Sequence, residues 1–168
     1  VTNVARKDQK YTVIRDTREQ QGYTFNKFER CQGMVTRKLD TGDYSILGLE
    51  DKICVERKGS IEELALNLGK NRDTFLREVK RMKGFPHRFI VLEFSLQELM
   101  DFPNQSRIPA RLKESVKITG KFILKSLMEI QLNNDVHIVF CDNKVNAFLY
   151  INSLFKRLIE KYTIKETT

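Results

Sequence analysis

The sequence predicts an α/β domain with a central mixed β-sheet flanked by helices, on three observations. Short apolar runs of strand length alternate with segments of helical period. The two kinds of segment are interleaved along the chain. The length of 168 residues, with 40% hydrophobic and 31% charged positions, suits one packed core and is short for two. No internal repeat, low-complexity tract or Gly/Pro-rich linker divides it. The expected boundaries are a polar N-terminal segment over 1–10, the domain over 11–162 and a tail over 163–168. The chain opens on Val1 without an initiating Met, so the expectation is a processed or excised fragment.

Tyr11 to Ile14 reads as a buried strand, with Asp16, Thr17, Arg18 and Glu19 following at its end. Met34 to Leu39 and Tyr44 to Leu47 are the next strands, separated by Thr41, Gly42 and Asp43, where Gly42 suits a tight backbone. Lys52 to Glu56 is the fourth, and three short strands in succession predict a meander. Ser60 followed by Glu63 has the capping-box form, which starts a helix running to Leu68 before Gly69 ends it.

Phe75, Leu76, Val79 and Met82 recur at helical spacing, turning Arg77, Lys80 and Arg81 to the opposite face, and Gly84 and Pro86 stop that helix. Phe89 to Glu93 is a buried strand, after which Ser95 caps a short helix through Met100 that Pro103 ends. From Ile108 to Leu132 the apolar positions support a long helix, with Gly120 as the place for an interruption. Val136 to Phe140 is the last strand. Asp142 or Asn143 then caps a helix to Tyr162 whose apolar positions wrap much of its first half.

Thirty Lys and Arg against 22 Asp and Glu give a net charge of +8, which favours an anionic partner, nucleic acid first. No apolar run reaches the roughly 18 to 20 residues that cross a bilayer, and Val1 to Lys10 carry no signal core, so a soluble intracellular protein without membrane contact is expected. Cys31, Cys54 and Cys141 lack zinc or disulfide spacing and read as reduced packing residues. His87 and His137 form no metal motif, no Ser or Cys has a nucleophile signature, and no Gly-rich phosphate loop is present, which removes support for acyl transfer and nucleotide hydrolysis.

The most informative stretch joins Asp43 to Glu56, Arg57 and Lys58 across two neighbouring strands. Glu56 and Lys58, two positions apart, project to one face while Arg57 points elsewhere. An Asp opposite Glu-x-Lys is what metal-assisted phosphodiester hydrolysis requires. Carboxylate oxygens hold a hard cation, Mg2+ or Mn2+, with open positions for water and a phosphate oxygen. Lys58 then either orients the water or stabilises developing negative charge. Asp16 and Glu19 would add oxygens from the end of the first strand. By itself the Glu-x-Lys spacing also occurs by chance on exposed strands.

Three motifs lie in order: Val13-Ile14-Arg15-Asp16-Thr17-Arg18-Glu19, Leu39-Asp40-Thr41-Gly42-Asp43-Tyr44 and Val55-Glu56-Arg57-Lys58. Together they resemble the XPF/Hef/Mus-type structure-specific endonuclease family, over about residues 11 to 160. Arg72, Phe75, Glu78 and Arg81 resemble the helix that follows in that family, and Ile90-Val91-Leu92-Glu93 its next strand. Glu62 departs from the pattern, standing where the family usually has Asp.

The resemblance implies a restriction-endonuclease-like core, a divalent-metal site and cleavage of branched or junction-containing DNA. It assigns Asp16, Glu19, Asp43 and Glu56 as metal carboxylates, with Asp43, Glu56, Arg57 and Lys58 as the catalytic set. It also implies dimeric nuclease domains and, commonly, a following helix-hairpin-helix module. The few residues after Tyr162 leave no room for that module, so substrate selection is expected from this domain, a second subunit or a region outside this sequence.

Several features carry two readings. Arg18 orients acids or phosphate, or forms a structural ion pair. Glu78 is read as the partner of Arg81 on a helix surface. Between Lys70 and Arg88 seven basic residues against two acidic ones, with Lys70, Arg72, Arg77, Lys80 and Arg81 among them, form either a DNA-tracking surface or a solvated face. Lys113, Lys117, Lys121 and Lys125 form a stripe along the expected long helix that touches DNA flanks or is an ordinary soluble face. Val145, Phe148, Ile151, Leu154, Phe155 and Leu158 supply either a homodimer or partner surface or burial within the monomer. The principal expectation is a metal-dependent endonuclease acting with DNA in the cell. A non-catalytic DNA-binding scaffold of the same fold is the alternative, and an RNA nuclease is third.

Overall fold

The computed structural model describes residues 9–163, so the expectations for residues 1–8 and 164–168 lie outside the described residues. Six strands form one sheet in the order β2-β1-β3-β4-β5-β6. They are β1 (Tyr11–Arg15), β2 (Cys31–Thr36), β3 (Tyr44–Ile46), β4 (Ile53–Lys58), β5 (His87–Leu92) and β6 (His137–Phe140). The helices are α1 (Ile61–Leu68), α2 (Arg72–Met82), α3 (Leu96–Asp101), α4 (Ala110–Lys113), α5 (Gly120–Asn134) and α6 (Lys144–Thr163). The sheet is mixed. β1 runs parallel to β2 and antiparallel to β3, β3 is antiparallel to β4, and β4, β5 and β6 are mutually parallel.

The expected meander is therefore corrected. β2 pairs with β1 rather than β3, and β1 lies between them. β2 also begins earlier than predicted, at Cys31, because Tyr11 pairs with Cys31 and Val13 with Met34 around an irregularity in the register. That offset places Gly33 inside the strand, where alternation of apolar side chains gives no sign of it.

Both sheet faces are covered, which explains the near-continuous apolar reading of the central strands. On one face Val13, Tyr44, Ile46, Val55 and Val91 pack under α6 through Ala147, Ile151, Phe155, Leu158 and Ile159. On the other, Cys54, Ile90 and Leu92 pack against Leu64 and Leu68 of α1, Phe75, Val79 and Met82 of α2, Leu99 of α3, and Ile123 and Leu127 of α5. Each fully buried aliphatic or aromatic side chain contributes about 1.5–3 kcal/mol. All three cysteines are buried and free, as packing residues.

The capping prediction at α1 is half realised. Ser60 Oγ accepts from Glu63 N at 3.1 Å, but Glu63 Oε2 accepts from Gly59 N rather than Ser60 N. At α3 the box is complete, Ser95 Oγ accepting from Glu98 N and Glu98 Oε2 from Ser95 N. The helix expected over Ile108 to Leu132 breaks into α4 and α5, with 114–119 between them. Thr119 starts α5 afresh, its hydroxyl accepting from Phe122 N, and Gly120 N donates to Phe102 O. The four-lysine stripe is corrected accordingly: Lys113 ends α4, Lys117 lies in the connection, and only Lys121 and Lys125 share α5. Among the described residues no helix is long and apolar enough to cross a membrane.

Candidate active site

The site forms where β1, β3 and β4 end beside one another. Asp16 N donates to Asp43 O and Asp43 N to Val55 O, both at 2.8 Å, so the backbone bonds that continue the sheet also fix Asp43. Gly42, at φ +82°, makes the turn into β3. A β-carbon there would lie 2.7 Å from Cys54 Sγ and 3.1 Å from Val55 O, so the close approach of the two strands requires glycine. Arg57 N then donates to Asp43 Oδ2 at 2.7 Å, holding that carboxylate against β4.

Strand alternation divides Glu-Arg-Lys between the two faces. Lys58 Nζ donates to Glu56 Oε1 at 2.9 Å and lies 5.0 Å from the centre of the Phe75 ring, on the α1/α2 face. Glu63 Oε1 stands 3.6 Å from the same ammonium. Arg57 points to the α6 face, where its side chain is 9% exposed. There its Nε and NH2 donate to Glu93 at 2.6 and 3.0 Å, and NH1 lies 3.5 Å from Glu19 Oε2.

Asp43 and Glu56 line a cavity of about 180 Å³ with Arg18, Asp40, Thr41, Gly42, Glu78 and Arg81. Burial first, and then the neighbouring Glu56 charge, pushes the Asp43 carboxyl up to about 8, against the help of the Arg57 N–H. Burial also raises Glu56, with Lys58 opposing and the Glu78 and Glu63 charges adding to the rise. For Lys58 burial favours the neutral amine, but the charge and hydrogen bond of Glu56, with Glu63 and Asp43, outweigh it and raise the ammonium pKa. The walls thus crowd Asp40, Asp43, Glu56 and Glu78 together, with Arg18 and Arg81 as the cations of the lining and Lys58 behind Glu56.

The structure places the other predicted residues around this centre in different ways. Asp16 is buried but does not line the cavity. Its Oδ1 accepts from Arg18 N and Nε, and its Oδ2 from Leu39 N. Burial alone would raise its pKa, and those three donors hold it below the usual carboxylate range. Arg18 combines its two readings: besides the ion pair it donates to Leu39 O, and its side chain forms part of the cavity rim. Glu19 faces Arg57 on the far side of the sheet and accepts from Gln21 N.

Glu78, read from the sequence as a surface partner of Arg81, stands elsewhere. Among the described residues it forms no ion pair with Arg81. It lies half-buried in the wall of the cavity that Glu56 also lines, and its charge raises the Glu56 pKa. The signal was its spacing, three residues beyond Phe75, whose ring meets Lys58. Lys70 is exposed in the turn between α1 and α2, Arg77, Lys80 and Arg81 are exposed on α2, and Arg81 reaches the cavity, whereas Arg72 is half-buried and donates to Leu68 O. Among the described residues no three His, Cys, Asp or Glu side chains converge into a ready metal cage.

The six-stranded mixed sheet between helices thus carries carboxylates and a lysine at the ends of adjacent strands. The model of the ERCC4 domain matches residues 15–154, and the chain belongs to that family. Two solved structures share the fold. XPF from Aeropyrum pernix is 22% identical with a TM-score of 0.62, the match covering 86% of this chain and 60% of that one. A second structure of XPF from Aeropyrum pernix, in complex with DNA, is 18% identical with a TM-score of 0.55, covering 94% and 66%. The matches thus span less than two thirds of either structure. A search of curated proteins found no match.

Proposed function

We propose that this domain is a metal-dependent endonuclease that hydrolyses phosphodiester bonds in branched or junction-containing DNA. The observation that carries this reading is the pairing of Asp43 and Glu56 on one cavity wall, with the Lys58 ammonium bonded to Glu56. The DNA in the second XPF structure supports the choice of polymer.

The donor chemistry fits Mg2+ or Mn2+. Among the described residues hydrogen bonds engage Asp43 Oδ2 and Glu56 Oε1, leaving Asp43 Oδ1 and Glu56 Oε2 as hard oxygen donors. Two carboxylates without a complete cage suit an ion that keeps several waters. Asp43 and Glu56 would hold it, with Glu78 lining the same cavity. Asp16 instead braces the loop, and Glu19 belongs with Arg57. When bound, the ion supplies charge neutralisation at the phosphate and acidifies a water.

The chain's own groups supply the rest. Lys58 directs one N–H to Glu56 and has two more N–H donors to orient the attacking water or stabilise phosphate charge. Water oxygen bonds to phosphorus as the P–O bond to the leaving nucleotide breaks, and a proton passes to that oxygen. Arg18 and Arg81 at the rim, Lys70 in the turn before α2, and Arg77 and Lys80 along α2 contact flanking phosphates. Such an enzyme works with DNA inside the cell. Val145 and Leu149, exposed on α6, offer a surface to a second copy or a partner subunit, and a sedimentation series showing only the 19.8 kDa species would remove the homodimer.

The test is cleavage of labelled linear, flap, fork and four-way DNAs with Mg2+ or Mn2+. Wild type is expected to cut branched substrates, while Asp43→Asn and Glu56→Gln lose at least about 100-fold in rate, the scale of removing a group that stabilises transition-state charge. Tight junction binding without cleavage across the metal titration would favour the scaffold alternative.

A further inference from the structure

Tyr23 lies outside every motif read in the sequence, yet it connects the elements that surround Asp43. Its N–H donates to the hydroxyl of Tyr44, the residue after Asp43, at 2.7 Å, and the two rings stack with centroids 5.4 Å apart. Its hydroxyl donates to Glu93 Oε1, the carboxylate that also takes both hydrogen bonds from Arg57. The Arg57 guanidinium lies 5.6 Å from the centre of the Tyr23 ring. A β-carbon on Gly22 would fall 1.8 Å from the Tyr44 hydroxyl, so the segment carrying Tyr23 sits directly on that group. Lys144 at the start of α6 closes the segment from outside, donating to Gln21 O at 2.7 Å.

Arg57 is the point at which this arrangement meets the candidate site. Its side chain is fixed on the α6 face by Glu93 and Tyr23, and its backbone N–H holds Asp43 Oδ2 on the cavity side. A loosened side chain gives the β4 backbone room to shift, and the N–H moves with it. A displacement of about 1 Å at reacting groups costs up to about 100-fold in rate.

We propose that Tyr23 and Glu93 are positioning residues for the cleavage site: phenol and carboxylate clamp Arg57 and thereby set where its N–H holds Asp43. This rests on the nuclease reading for its functional consequence, but the clamp has a readout of its own. Tyr23→Phe removes one hydroxyl and keeps the stacked ring. Glu93→Gln keeps an acceptor and removes the charge.

The experiment uses the whole chain and takes three measurements on wild type and both variants. They are the amide 1H–15N shift of Arg57 without metal, the Mn2+ dissociation constant, and kcat and KM on a fork DNA. In both variants the Arg57 amide is expected to move upfield, Mn2+ to bind several-fold more weakly, and kcat to fall about tenfold with KM for DNA within twofold, as a misplaced acid predicts. Lys156→Ala, which loses an exposed ion pair with Glu29 far along α6, is expected to leave all three at wild-type values. An unmoved Arg57 amide and unchanged Mn2+ affinity in the folded Tyr23→Phe and Glu93→Gln proteins would overturn the clamp, whatever the cleavage rates. A wild type that cuts no DNA while its Arg57 amide responds to both variants would count against the nuclease and uphold the clamp.

Discussion

Asp43 is the residue on which charge and backbone geometry meet. Its folded pKa is about 8 against an ordinary value of 3.8, because it is buried beside Glu56. Between those two pH values the folded protein keeps a proton that the unfolded chain has lost. Metal-free stability must therefore fall as pH rises through this window, by at most about 1.4 kcal/mol per pH unit. Asp43→Asn keeps an acceptor for the Arg57 N–H and removes the ionisation. Urea midpoints from pH 5 to pH 8 should slope downward for wild type and be flatter for the variant. Added Mg2+ should restore wild type most at the alkaline end, and a wild-type slope of the opposite sign would contradict the proposed charge crowding.

The same scale shows how far the sequence could be read. Strand alternation was enough to put Glu56 and Lys58 on one face and Arg57 on the other, because a period of two needs no knowledge of the partner strand. Asp16 and Glu78 could not be sorted that way. Whether a carboxylate meets a loop N–H or a cavity depends on contacts from residues far along the chain, such as Leu39 to Asp16.

At the scale of elements, local signals marked caps well and pairing poorly. Ser60 and Ser95, both expected as caps, receive the backbone N–H three residues on, since capping is a contact within one turn, whereas the cap at Thr119 lay inside the single helix expected over Ile108 to Leu132. Ser95→Ala should cost about 1 kcal/mol in a denaturant melt. The placement of β1 between β2 and β3 is a long-range choice that turn residues did not reveal. On α2 the buried line Phe75, Val79 and Met82 turns Arg77, Lys80 and Arg81 outward, Arg81 at the cavity. Replacing Arg77 and Lys80 by Gln should weaken fork DNA binding uniformly across sequences. It should also reduce the slope of log affinity against log salt by about 0.9 for each phosphate no longer neutralised. An unchanged slope would assign those side chains to the solvated face.

For the molecule as a whole, two apolar layers hold the sheet that carries the site. Phe155 is fully buried in the apolar layer under α6, its ring centre 6.1 Å from that of Phe25, so Phe155→Ala should destabilise the domain by about 3–5 kcal/mol by calorimetry or urea titration. The excess of apolar residues on α6 that suggested a partner surface is divided by the fold. Ile151, Phe155 and Leu158 are internal, while Val145 and Leu149 stay exposed, a distinction that helical period alone could not draw for a helix apolar on more than one side.

The account turns on Asp43 and Glu56 sharing one divalent ion beside Lys58. Anomalous diffraction from a crystal soaked in Mn2+ reads that directly. A manganese peak within bonding distance of an oxygen from each carboxylate is the predicted result. Density showing the two acids turned apart, with no manganese between them, would contradict it.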